Sequence, residues 1–183
     1  RDSYEIKPDM IPFAKGVTSG YLPLGGVLVS DRVAGTIIDQ GGEFAHGFTY
    51  SGHPAACAVA LKNIELIKKE NILDSVKNSI APYLRDKWLS LGDHPIVGEA
   101  RIKGLMGAIE LSNDKEKRSR FPSDFNAGSL CRDISIKNGL VMRAVGDSMI
   151  IAPPLVINHQ QIDELVNKAR ITLDQTQEAV QKL

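Results

Sequence analysis

The apolar positions of the chain switch between continuous runs, helical spacing and alternation, and each switch marks an element. Residues 10–14 form a short apolar run that Pro8 and Pro12 keep extended. After a loop, residues 26–30 (GVLVS) make a continuous β-branched run, the pattern of a buried strand. Residues 31–40 read as a short helix capped by Ser30 or Asp31. The stretch 41–54, GGEFAHGFTYSGHP, is rich in glycine and aromatics with little periodicity, so it reads as a long structured loop of the kind that carries function. Pro54 suits the first turn of a helix, and Cys57, Leu61, Ile64 and Ile67 recur behind it at helical spacing. Asn71 ends this helix and caps the next, which Ile72, Val76, Ile80, Tyr83 and Trp88 place over 72–91 with a bend near Pro82.

The second half changes character. Residues 97–101 and 105–111 read as strands separated by Gly104, and 113–124 (NDKEKRSRFPSD) as a charged loop. Ser123 is the expected cap of a helix that stops at Asn138-Gly139. GLVMRAV and SMIIAPP are two strands about a tight turn at Gly146-Asp147. Asn158 with Gln161 forms a capping box for a last amphipathic helix carrying Ile162, Leu165, Val166, Ala169 and Leu173. The pattern is α/β up to about residue 70, then a small α+β unit, with the helix from 54 as a bridge. The first part has too few strands to close a sheet by itself.

Composition adds exclusions. Basic and acidic residues balance at 22 each, which gives no electrostatic case for nucleic acid or an anionic membrane. No apolar run approaches the ~20 residues that span a bilayer. The beginning, RDSYEIKPDM, lacks a signal-peptide pattern and an initiator Met, which fits a chain that starts partway through a longer protein and equally one whose Met was removed or processed. Cys57 and Cys131 lie in apolar helical segments and read as buried thiols of a reducing cytoplasm rather than a disulfide.

Chemistry concentrates in FAKGVTSGYLPLGG, where Lys15 stands alone among apolar, glycine and hydroxyl residues. Free lysine has a pKa of about 10.4 and is a poor nucleophile at neutral pH. Burial against Phe13 and Ala14 is expected to disfavour its ammonium, and the small neighbours leave room for a flat molecule. The natural reaction of such an amine is a Schiff base with an aldehyde cofactor or a carbonyl substrate. On residue types alone, a lysine snorkelling from a strand end is the leading reading. His46 and His53 flank the aromatic loop, but two histidines without a third ligand are a poor metal signal, and His53 reads as structural at the helix start. Ser19 and Thr18 have no basic partner nearby, so a hydrolase is unsupported.

The ordered segments FAKGVTSGYLPLGG, HGFTYSGHPAACAVAL, GLVMRAVGD and IIAPPLVI change that balance. Together they resemble the class III pyridoxal-phosphate aminotransferases, over nearly the whole chain from KPDM to the last helix. MRAVGDSMIIAPPLVI is more typical of the ω-amine and polyamine branch. The resemblance implies the C-terminal part of a fold-type-I α/β transferase. Residues 1–70 would be the end of its large cofactor-binding domain with the start of the bridging helix, and 71–183 its small α+β domain. The implied cofactor is pyridoxal 5′-phosphate, and the implied reaction moves an amino group from a primary amine, a polyamine or ω-amino acid, to a keto acid such as pyruvate.

By the same resemblance Lys15 is the Schiff-base lysine and proton carrier. Thr49 binds the cofactor phosphate of the neighbouring subunit, Phe48 helps line that neighbour's active site, and Arg143 grips a substrate carboxylate. Guanidinium geometry suits that last task, although Arg143 reads equally well as an exposed strand arginine. Roles shared across subunits imply a homodimer. The chain lacks the family's larger N-terminal portion, with its acid on the pyridine nitrogen and its ring-stacking aromatic. The 183 residues alone are therefore expected to bind cofactor poorly and to be inactive. Ile102 departs from the glycine that relatives often carry after the arginine. Two competing readings are a 4-aminobutyrate or β-alanine transaminase, and a non-catalytic dimerisation module.

Overall fold

A computed structural model describes residues 5–182, apart from the side chain of Ser123. The chain divides into two compact units, Arg1–Glu70 and Asn71–Leu183.

In the first unit β1 (Met10–Ala14) and β2 (Gly25–Val29) pair antiparallel, with Phe13 opposite Gly26 and Ala14 opposite Gly25. Helix α1 (Asp31–Gln40) follows directly. Ser30 stands at its N-cap, but its hydroxyl donates to Asp9 Oδ1 (3.0 Å) rather than to the helix. Asp9 also pairs with Arg32 at 2.7 Å, and this partner holds its carboxyl below the usual range. Residues 41–53 hold no helix or strand, and α2 (Pro54–Lys69) opens on His53, whose Nδ1 accepts from the Ala56 N–H. His53 thus has the structural role its position suggested.

Two expectations fail in this unit. The run 26–30 forms a strand but not a buried one: Val27, Leu28 and Val29 are 55%, 59% and 42% exposed. A strand is buried on both faces only between two covering layers, and no such layers stand over β2 among the described residues. The stripe of α2 is also turned. Leu61 and Ile64 are exposed, while Ala56 and Ala60 are buried and Asn63 and Ile67 half-buried. Those four positions are spaced i, i+4, i+7, i+11, the true inward face.

The second unit begins with α3 (Ile72–Ser75), a π-helical stretch (Val76–Ile80) and α4 (Ala81–Leu89). Asn71 precedes α3 in the left-handed region (φ 50°), without a side-chain capping bond. The π turns fall just before Pro82. Proline lacks the N–H for an i→i−4 bond and crowds the carbonyl four residues back, so a wider turn relieves both conflicts. Strands β3 (Val97–Lys103) and β4 (Met106–Leu111) form a hairpin through Gly104. After helix α5 (Ala127–Lys137) come β5 (Arg143–Val145), β6 (Ser148–Ile151) and α6 (His159–Gln181). The sheet order is β3-β4-β6-β5, antiparallel throughout. The capping box is present: Asn158 Oδ1 accepts from the Gln161 N–H (2.9 Å) and Gln161 Oε1 from the Asn158 N–H (3.0 Å).

The core lies between this sheet and its helices, around Leu84, Trp88, Ile109, Met149, Ile162 and Leu173, all fully buried. Helix α5 starts later than Ser123 suggested, at Ala127 behind Asn126 (φ 50°). Its cap comes from elsewhere in the chain. Asp147, in the β5–β6 turn, accepts the Gly128 N–H at 3.1 Å. Gly128 is required there, because a Cβ would fall 1.9 Å from the Gly146 carbonyl oxygen. No helix among the described residues is long and apolar enough to cross a membrane.

Candidate functional site

Lys15 opens a single 3-10 turn, Lys15–Thr18, at the end of β1. Its backbone is left-handed (φ 52°), as is that of Ser19 (φ 49°). Such conformations cost a residue with a Cβ roughly 1–2 kcal/mol each, so the surroundings must impose them. The imposing contacts are on view. Thr18 is fully buried, and its hydroxyl donates to the Leu22 carbonyl at 2.6 Å while lying 3.4 Å from that of Lys15. From α2, the Asn63 carboxamide donates to the carbonyls of Gly16 (3.0 Å) and Val17 (3.1 Å) and accepts from the Ser19 hydroxyl (2.9 Å).

The expected apolar enclosure of Lys15 is absent among the described residues. The side chain is exposed and makes no hydrogen bond or ion pair among the described residues. Phe13, which was to cover it, lies over Gly26 instead; a Cβ on Gly26 would sit 2.5 Å from the ring. What the loop does supply is room and a free amine. A Cβ at Gly16 or Gly20 would meet nothing within 4 Å.

Phe48 and Thr49 lie in the aromatic loop, where every residue from 41 to 53 is exposed. Phe48 is held by its backbone: its N–H donates to Ser51 Oγ and its carbonyl accepts from the Ser51 N–H, both at 2.9 Å. Its ring, 79% exposed, meets that of His46 edge-on at 5.8 Å. The Thr49 hydroxyl has no partner among the described residues. A cleft of about 320 Å³, lined by Leu22, Pro23, Leu24, Tyr50, His53 and Ala56, joins the end of the lysine loop to the aromatic loop. Neither Lys15 nor Thr49 lines it. No group of three metal-ligating side chains occurs among the described residues.

Arg143 belongs to the second unit. It sits on the edge strand β5 opposite Ile150, exposed and without an ion pair among the described residues. Ala144, on the opposite face, turns inward. Within one unit, then, the fold holds Lys15, Phe48 and Thr49, and Arg143 lies in the other. Arg101, by contrast, is committed to Glu99 and Glu110, each at 3.3 Å. Asn63 is the residue that sequence reasoning passed over, and Thr18 was weighed only for hydrolase chemistry. The available signal was a polar side chain on the Ala56, Ala60, Ile67 stripe of α2.

The residues suit an aldehyde-bearing phosphate cofactor: Lys15 offers an unpaired amine with open space at Gly16 for a planar ring, and Thr49, elsewhere, an unpartnered hydroxyl. Solved transaminases share the fold. An (S)-enantioselective omega-transaminase from Thermomicrobium roseum matches with a TM-score of 0.89 at 39% identity, over 96% of this chain and 39% of that one. A transaminase from the marine bacterium Virgibacillus gives 0.93 at 37% identity, over 98% and 42%. The fold is therefore that of the pyridoxal-phosphate transaminases. The class-III aminotransferase family profile matches residues 1–173, and the chain belongs to that family. Putrescine–pyruvate aminotransferase of Pseudomonas aeruginosa is 56% identical over 177 residues, and gamma aminobutyrate transaminase 1 of Solanum lycopersicum is 40% identical over 185. These alignments take in 97% and 100% of this chain, which spans 38% and 36% of the relatives' lengths.

Proposed function

We propose that this chain supplies the lysine side of a pyridoxal-phosphate aminotransferase that moves an amino group from a primary amine, of polyamine or ω-amino acid type, to a keto acid such as pyruvate. The nitrogen leaves the donor, which becomes a carbonyl compound, and arrives on the keto acid, which becomes an amino acid. The observation that carries this reading is Lys15, an unpaired amine held in a left-handed turn at a strand end, in a chain of the class-III family.

When bound, the cofactor supplies the electron sink for the Cα–H bond. Lys15 would hold it through its ε-amine and, as a free amine, would carry the proton to and from the substrate Cα. Thr49 donates its hydroxyl to the phosphate of a neighbouring subunit, and Phe48 lines that subunit's site. The exposure of both side chains supports this reading and a homodimer with shared sites. Arg143 binds the carboxylate of the keto or amino acid, from an edge strand where its guanidinium is free to turn. Residues 1–70 serve as part of the cofactor-binding domain and 71–183 as the small domain. Two free thiols, Cys57 and Cys131, fit a reducing compartment such as the cytoplasm.

The 56% identity to a putrescine–pyruvate aminotransferase favours a diamine donor over 4-aminobutyrate. A donor screen on the intact protein, with pyruvate as acceptor and alanine as product, tests this. Turnover with putrescine well above that with 4-aminobutyrate or β-alanine is expected. The reverse order assigns the ω-amino acid branch, and no turnover with any donor supports a non-catalytic module.

A further inference from the structure

We propose that Asn63 is a positioning residue for Lys15, and that its carboxamide sets the direction in which the lysine side chain leaves the backbone; this rests on Lys15 being the cofactor lysine. Three observations meet at this residue. Lys15 and Ser19 both occupy the left-handed region, at either end of one 3-10 turn. Neither is glycine, so the turn keeps this shape only under external constraint. The constraint from outside the loop is a single side chain 44 to 47 residues away in sequence. Both amide hydrogens of Asn63 are used, on Gly16 O and Val17 O, and its oxygen takes the Ser19 hydroxyl.

The chemistry of this clamp is specific. Two carbonyls on one side demand the NH₂ end, and a hydroxyl on the other fits the oxygen. Aspartate would set an anionic oxygen against two carbonyl oxygens, and leucine would leave all three loop groups unpaired. The base is rigid, since Asn63 shares a face of α2 with buried Ala56 and Ala60. Thr18 pins the same turn from inside through the Leu22 carbonyl. Without Asn63, Lys15 is free to relax toward extended backbone, which swings its Cβ and misplaces the amine. A displacement of about 1 Å costs roughly a hundredfold in a positioned reaction.

The test uses the intact protein with added pyridoxal 5′-phosphate and compares wild type with Asn63→Leu, Asn63→Asp and Ser19→Ala. Borohydride reduction with peptide mapping locates the covalent link. Thermal midpoint, visible absorbance against pH, and kcat and KM for the amine donor complete the set. For Asn63→Leu we expect the link still at Lys15, a KM within about threefold of wild type, kcat lower by roughly tenfold to a hundredfold, and a displaced pH midpoint of the visible absorbance. Ser19→Ala, which removes one of the three bonds, gives the same changes at smaller size and decides the matter if Asn63→Leu does not fold. Unchanged kcat and pH midpoint in both folded variants, with the link at Lys15, overturn the positioning role and leave the Lys15 reading standing. A link at another lysine in wild type overturns that reading itself.

Discussion

Within this chain, which spans 38% of a relative's length, the two units differ in what they bury. The second has an ordinary core: Leu84, Trp88, Leu91, Val97, Ile109, Met149, Ile162 and Leu173 show no exposure, and its sheet is covered by helices. The first buries little beyond Ala56, Ala60 and Thr18 among the described residues, and its strands stand open. Yet the first carries Lys15, Phe48 and Thr49. Its local shape depends on directional bonds, Asn63 and Thr18 on the lysine turn and Ser51 on the aromatic loop, where the second depends on area removed from water. Hydrogen bonds fix the orientation of individual groups, which chemistry needs; apolar packing fixes volume, which a scaffold needs.

Substitutions can break or sharpen this contrast. The largest expected effect is on chemistry. Lys15→Ala in the intact protein should lower transamination by at least about a thousandfold, with a cofactor-free thermal midpoint near wild type because the side chain makes no contact among the described residues. An active Lys15→Ala protein, assayed by alanine formation, removes chemistry from the first unit. Trp88→Ala should act the other way, costing about 3–5 kcal/mol of stability in urea titration through the cavity left against Gly107. The indole also loses its bond to the Ala108 carbonyl.

A third difference concerns the thiols. Burial pushes the Cys131 thiol up to about 11, with a contact to Thr176 offsetting part of the shift. Cys57, half-buried, should be alkylated at pH 8 in the native protein while Cys131 is protected. The folded state holds the Cys131 proton more tightly than the unfolded chain, whose thiols titrate near 8.5. The stability it contributes is complete below that value and is lost as pH rises toward 11. Equal reactivity of the two thiols contradicts a closed second core. The smallest effect is Asp147→Ala, which removes the distant cap of α5 and should cost about 1 kcal/mol by thermal denaturation.

Elements with local causes were legible from the sequence. Asn158 and Gln161 announce their own capping box, His53-Pro54 a helix start, and Gly146-Asp147 a hairpin turn, because the partners lie within a few residues. Features set from afar were not. The cap of α5 comes from Asp147, 19 residues away, so Ser123 drew the attention. Helix α2 turned its stripe from Leu61 and Ile64 to Ala56, Ala60 and Asn63, since close approach of the lysine loop selects small and polar residues over large apolar ones. Lys15 was singled out by its setting and by resemblance, but its expected enclosure is not there among the described residues, because Phe13 packs on Gly26 across the hairpin. Asn63 was invisible for the same reason as Asp147: its partners lie more than 40 residues upstream.

The proposed chemistry rests on one lysine. Borohydride reduction of the intact, cofactor-loaded protein, followed by peptide mass mapping, reads it directly. A single pyridoxyl group on Lys15, in the peptide containing FAKGVTSGYLPLGG, is the predicted result. A pyridoxyl group on any other lysine, or none with transamination intact, contradicts it.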